Sequence, residues 1–188
     1  MTHYFEASSL PALYFGEPPE ISFHDLMILY EANLSSAELN SVKVVRRLVD
    51  LYNLSAYWRQ KPLDPRGNLS AVEMEEALLG GNGLPENAHS FIETPGALIV
   101  QFFNREIPRA SGFLRHWLEF ERKLRFVMIG FRSKRLGRDP VFELQHEDPQ
   151  DEIVAHIIAQ RDSPTYEPPE EFAKLKEIFA QYGGEPEE

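Results

Sequence analysis

The chain has 188 residues, no cysteine and a formal net charge of −11. Disulfides, thiol catalysis and thiolate metal sites are thereby excluded, and the acidity argues against a general nucleic-acid binder. With 43% hydrophobic and 12% aromatic residues, the sequence is expected to bury an ordinary globular core, as one helical domain over residues 1–188.

Residues 1–20 read as irregular, punctuated by Pro11, Gly16, Pro18 and Pro19. Ser22 with Asp25 predicts a helix start, and the helix runs to about Asn33. Ser35 with Glu38 forms a capping box, S-x-x-E, that opens a longer helix to about Trp58. Its residues Leu39, Val42, Val45, Leu48, Val49 and Tyr52 recur at helical spacing. KPLDPRGNLS is a loop, after which Ser70 and Glu73 open a short helix that Gly80, Gly81 and Gly83 end. Another helix can begin at Pro85. The run Gly96–Asn104 fits either a buried helix or a buried strand, and helix is preferred because no partner strand is evident.

The longest helix is predicted over Pro108–Leu136, ended by Gly137 and Asp139-Pro140. Phe113, Trp117, Phe120, Leu124, Val127 and Phe131 step by three and four along it and are the expected core face. Two more amphipathic helices follow, Pro149 to about Arg161 and Pro168 to about Tyr182, and residues 183–188 read as a frayed tail or a truncation point. The sum is an all-α, irregular bundle of about six or seven helices.

The charge is unevenly spread. Residues 109–138 hold nine basic residues against only Glu119 and Glu121, a net of +7, whereas the remainder carries −18. Arg115, Arg122, Lys123, Arg125, Arg132, Lys134, Arg135 and Arg138 surround the apolar stripe of the long helix. Such a face either pairs with acids of neighbouring helices or docks an acidic partner or anionic headgroups. Arg122, Arg125, Arg132 and Arg135 are the candidate docking residues.

Catalytic patterns are weak. The Gly80–Gly83 cluster lacks the spacing and the lysine of a phosphate loop, and neither G-x-G-x-x-G nor G-x-S-x-G occurs. Two E-x-x-H pairs, Glu86/His89 and Glu143/His146, and the i,i+4 pair Glu152/His156 could hold a metal in a bundle, but without further motif logic they read as surface residues. His116 beside Trp117 reads as packed or exposed. No catalytic, cofactor or metal residue is therefore expected; a free-standing helical enzyme with a metal or hydrolytic site, and an unrelated helical interaction module, are the alternatives. No stretch approaches the roughly 20 apolar residues of a spanning helix, nor does the N-terminus have the basic and apolar regions of a secretory signal.

The opening reads Tyr4-Phe5-x-Ala7-Ser8-x-Leu10-Pro11, then Gly16, Pro19, Ile21-Ser22-Phe23 and Asp25-Leu26. Further on stand Trp117-x-x-Phe120-Glu121-x-x-Leu124-Arg125 and Arg132-x-x-Arg135-Leu136-Gly137-x-Asp139. These stretches resemble a bacterial family encoded beside V-type ATPase subunits. The opening is also similar to that of the socket subunit of such ATPases, which joins the central stalk to the membrane ring. Phe126 departs from the pattern, since an asparagine often follows the leucine–arginine pair there. The resemblance implies an all-helical, non-catalytic coupling subunit. Its expected partners are the central stalk and the membrane ring, and its expected place is the cytoplasm, peripheral to the inner membrane face and held there through those partners.

Overall fold

The computed structural model describes residues 10–12, 14, 16–80 and 95–182. Among these residues there are eight α-helices, one 3-10 turn and no strand, so the chain is an irregular all-α protein. It divides into two compact units, Met1–Ala88 and His89–Glu188. The helix expected from Pro85, the Glu86/His89 pair, Gly81 and Gly83, and the 183–188 tail lie outside the described residues, as do the first nine residues of the opening.

The first unit contains α1 (Phe23–Asn33), α2 (Ser36–Trp58) and α3 (Ala71–Gly80). Each begins where a short polar side chain can satisfy helix donors that lack an intrahelical acceptor. The Asp25 amide donates to Ser22 Oγ over 3.1 Å. At α2 the box is reciprocal: the Glu38 amide donates to Ser35 Oγ (3.4 Å) and the Ser35 amide to Glu38 Oε2 (2.8 Å). Ser70 and Glu73 repeat the arrangement at α3, at 3.3 and 2.8 Å. Val44, Leu48, Leu54 and Met74 are the buried apolar residues of this unit.

The buried face of α2 is also polar. Arg46, Asp50 and Asn53 are spaced by four and three residues, so they share one side of the helix. Together they fasten the 61–70 loop. Arg46 donates to the carbonyls of Arg66 (3.1 Å) and Gly67 (2.5 Å). Asp50 accepts from the Leu69 amide (3.1 Å) and from Asn68 Nδ2 (2.9 Å). The Asn53 side chain exchanges two 2.8 Å bonds with the backbone of Asp64. Gly67 has to be glycine here, because a Cβ would stand 2.4 Å from Asp50 Oδ1.

The second unit contains α4 (Pro95–Glu106), α5 (Gly112–Leu136), α6 (Pro140–Glu143), α7 (Glu152–Ala159), a 3-10 turn (Glu170–Phe172) and α8 (Ala173–Tyr182). The ambiguous 96–104 run is thus helical and buries Ile99, Val100, Phe102 and Phe103. Helix α5 packs against α4, α6 and α7. Gly137, at φ 63°, ends it in the left-handed conformation that glycine adopts without steric cost. The core is one cluster: Phe126, Val127 and Phe131 of α5, Leu144, Ile153, Val154 and Ile157, then Tyr166 and Phe172.

The expected core face of α5 needs correction. Val127 and Phe131 are buried, but Phe113 is 81% exposed and Phe120 46% exposed. Trp117 and Leu124 are half-buried, and the fully covered positions nearby are Leu118 and Phe126. Periodicity identifies a side of a helix but not how far its neighbours extend along it. Here the neighbours change sides. Gly96 of α4 approaches Arg125, about 120° around the helix from Phe113 at 100° per residue. The Phe113–Phe120 stretch of the stripe is therefore left outward, apart from a 6.1 Å ring contact between Phe120 and Phe172.

One close approach fixes the other side. The ring of Tyr166 lies over Gly130, where a Cβ would come within 2.6–2.9 Å of its carbons. Tyr166 also meets Phe131 edge to face at 5.1 Å between centroids. Its hydroxyl is buried without a hydrogen-bond partner, and burial pushes its pKa up to about 12.

Candidate docking surface

The basic residues of α5 fall into two groups. Arg122 and Arg125 turn inward onto one carboxylate: Arg122 Nη2 donates to Glu147 Oε2 (3.1 Å) and Arg125 Nη1 to Glu147 Oε1 (2.5 Å). The Glu147 side chain is 1% exposed, and the two arginine side chains 21% and 13%. Both guanidinium groups are thus committed within the unit, which is the internal-pairing alternative rather than a docking face. The Arg122 guanidinium also stands 5.2 Å from the Phe126 ring centroid. Its buried Nε has no acceptor. Burial raises the pKa of neighbouring Glu121 above the ordinary glutamate range.

Lys134 is committed differently. Its ammonium donates to the carbonyls of Gln160 (2.5 Å), Arg161 (2.7 Å) and Ser163 (2.7 Å), just past the end of α7. Those carbonyls lie at the negative end of the helix dipole, where a cation is favoured. Arg115 pairs with Glu119 one turn on (2.9 Å), and Lys123 reaches Glu171 (3.2 Å).

Arg132, Arg135 and Arg138, at the C-terminal end of α5, are exposed. Arg135 lies over the Phe179 ring at 5.7 Å, and Arg138 makes an exposed 3.4 Å contact with Glu143. Of the four candidate docking arginines, then, Arg132 and Arg135 face outward.

The histidine pairs offer little for chemistry. His146 is exposed, and Glu143 is engaged with Arg138. His156 Nε2 lies 2.7 Å from the Glu167 carbonyl, within a local network with Gln160. Among the described residues no group of three His, Asp or Glu side chains is arranged to hold a metal ion. An open groove of about 510 Å³ is lined by Lys123, Asp151, Glu152, Ile153, His156, Pro169 and Glu171. Asp151 is occupied in capping α7 through the amides of Ile153 and Val154. None of the lining residues is a hydroxyl or thiol nucleophile. Among the described residues no helix is long and apolar enough to cross a membrane.

Sequence reasoning did not find Glu147, which nothing local distinguishes from the other glutamates, nor the Arg46, Asp50 and Asn53 set. The latter had a signal in its i, i+4, i+7 spacing, a polar stripe on a helix with few apolar positions to spare.

What these features define is an all-helical protein whose surface is suited to contact rather than bond-making. Two segments, residues 1–82 and 81–187, match a family described as a protein of unknown function (DUF2764), and the chain belongs to this family. Relatives in Chlamydia muridarum and Chlamydia trachomatis serovar D, each named an uncharacterized protein, are 29% identical over 201 and 200 residues. A relative in Chlamydia pneumoniae is 29% identical over 197 residues. The alignments cover 96% of this chain and 74% of each relative. No solved structure matches the chain.

Proposed function

We propose that the protein is a non-catalytic structural subunit associated with a V-type ATPase, coupling the central stalk to the membrane ring at the cytoplasmic face. The reading rests on the resemblance of its opening residues and its long basic helix to the family encoded beside such ATPases, and of the opening to their socket subunit. One structural observation supports it: a single rigid helix presents different chemistry at its two ends. Helix α5 has 25 residues and is about 37 Å long at 1.5 Å per residue. At its start Phe113 and Phe120 are uncovered, and at its end Arg132, Arg135 and Arg138 are. A coupling part must be stiff and must offer a distinct surface to each neighbour. In this reading the aromatic end meets a protein surface, while Arg132 and Arg135 meet acidic groups at the membrane sector.

Co-purification tests the proposal. The tagged chain is expected to retain stalk and membrane-ring subunits from detergent-solubilised membranes of its source, and Phe113→Ser with Phe120→Ser to reduce that retention. Recovery of the chain without any ATPase subunit would overturn the assignment. Stoichiometric iron or zinc in the purified chain, lost on His146→Ala, would replace it with a metalloenzyme.

A further inference from the structure

The turn that ends α5 combines exposed cations with exposed apolar side chains. Leu136 is 43% exposed, Val141 39% and Phe142 67%, all within seven residues of chain around the left-handed Gly137. Arg132, Arg135 and Leu136 stand at i, i+3 and i+4, so they share a helix face. Arg138 lies in the turn itself, and Arg161 is tied to it through Asp139 at 2.7 Å. Four exposed arginines thus meet two carboxylates, Asp139 and Glu143, in a chain whose net charge is −11.

Both carboxylates are in solvent-exposed ion pairs. Such pairs contribute little, so an arginine can exchange a carboxylate for another anion at small cost. The apolar side chains project from a chain reversal. A folded protein partner would need a pocket cut to fit Phe142, whereas the headgroup layer of a bilayer admits any projecting apolar group and supplies anions around it. At physiological ionic strength the Debye length is about 8 Å. Acidic residues farther from the membrane are then screened, while the arginines of the turn touch it.

We propose that this turn binds anionic lipid directly. Arg132, Arg135, Arg138 and Arg161 face headgroup phosphates, and Leu136, Val141 and Phe142 enter the interfacial layer. The inference rests on the reading above for where the protein works, and it names the acidic surface that Arg132 and Arg135 meet. Its test requires no ATPase. The purified full chain is sedimented with vesicles of phosphatidylcholine, with and without phosphatidylserine. Binding is expected only with phosphatidylserine, and it weakens as salt rises. Each arginine near such a surface contributes about fivefold, so Arg132→Glu with Arg135→Glu lowers partitioning at least about twenty-five-fold. Phe142→Ser lowers it roughly tenfold. As a second measurement, emission of the Phe142→Trp variant shifts to the blue on adding the anionic vesicles, and circular dichroism confirms unchanged helix in every variant. Equal sedimentation with both vesicle types overturns the proposal, as does a Phe142→Ser variant that binds like the parent. Retention of the turn by solubilised ATPase proteins, with no vesicle binding, assigns it to a protein partner instead. Vesicle binding without any ATPase co-purification overturns the coupling reading and leaves this inference standing.

Discussion

The two units solve the same problem, holding an irregular segment onto a long helix, with different chemistry. In the first, Arg46, Asp50 and Asn53 of α2 reach the backbone of the 61–70 loop and the Asn68 side chain. In the second, Arg122 and Arg125 of α5 converge on the buried side chain of Glu147, in the segment after α6. The loop lock is built from many bonds, most of them to peptide groups, and no single one dominates. The Glu147 lock concentrates two cations on one carboxylate, so its energy depends on that residue being present. A distributed lock is expected to fail by degrees and a concentrated one all at once.

The largest expected effect follows from removing the centre of the concentrated lock. Glu147→Ala leaves two largely buried guanidinium groups uncompensated and should lower stability by about 3–5 kcal/mol, measured by urea unfolding. Replacing all three members with apolar residues of similar volume should recover most of that loss, because desolvation offsets much of a buried pair's attraction. A triple variant as unstable as Glu147→Ala would show that the pairing geometry itself, not the leftover charge, matters.

Asp50→Ala should cost less, about 2–3 kcal/mol, since it strands one amide and one side-chain donor. The effect should be local: faster hydrogen exchange at Leu69 than at α2 amides. Loss of all protection in α2 would contradict the distributed picture.

Tyr166→Phe should be close to neutral at pH 7, or stabilising by up to about 1 kcal/mol, because it deletes a buried hydroxyl that has no partner. The alkaline limb differs. With the folded-state pKa raised to about 12 against about 10 when unfolded, the unfolded chain loses its proton first. Stability conferred by the neutral phenol is thus complete below about pH 10 and declines as pH rises toward 12. The phenylalanine variant should show a flatter melting temperature over that window; identical profiles would place the alkaline transition elsewhere.

The smallest effect is expected at the exposed arginines. Arg132→Glu with Arg135→Glu should change stability by less than about 0.5 kcal/mol per site. A larger loss would mean that these two are pairing residues as well, like Arg122 and Arg125.

How much of this was legible depended on range. Ser22, Ser35 and Ser70 announced their helices because a cap acts over three residues, and Gly137 announced a helix end for the same reason. The helical state of 96–104 followed from the lack of a strand to pair with it. The burial of Arg122 and Arg125 could not be read, because their partner lies 25 and 22 residues away. Nor could the fate of Phe113, whose spacing matches that of buried Phe131; the difference lies in which elements happen to run alongside. The Gly130 notch was equally silent, since only the position of Tyr166 gives the missing side chain a meaning.

Lys134 offers a chemical reporter of how firmly α7 is seated. An amine whose protons all point at carbonyls reacts with acylating reagents only when it is released, whereas Lys123 stands about half exposed on the same helix. The ratio of their labelling rates would then measure how often the end of α7 leaves α5, residue by residue and without unfolding the protein. An acetyl group placed there by an enzyme would hold that contact open, giving a neutral side chain where three backbone oxygens require a charged one.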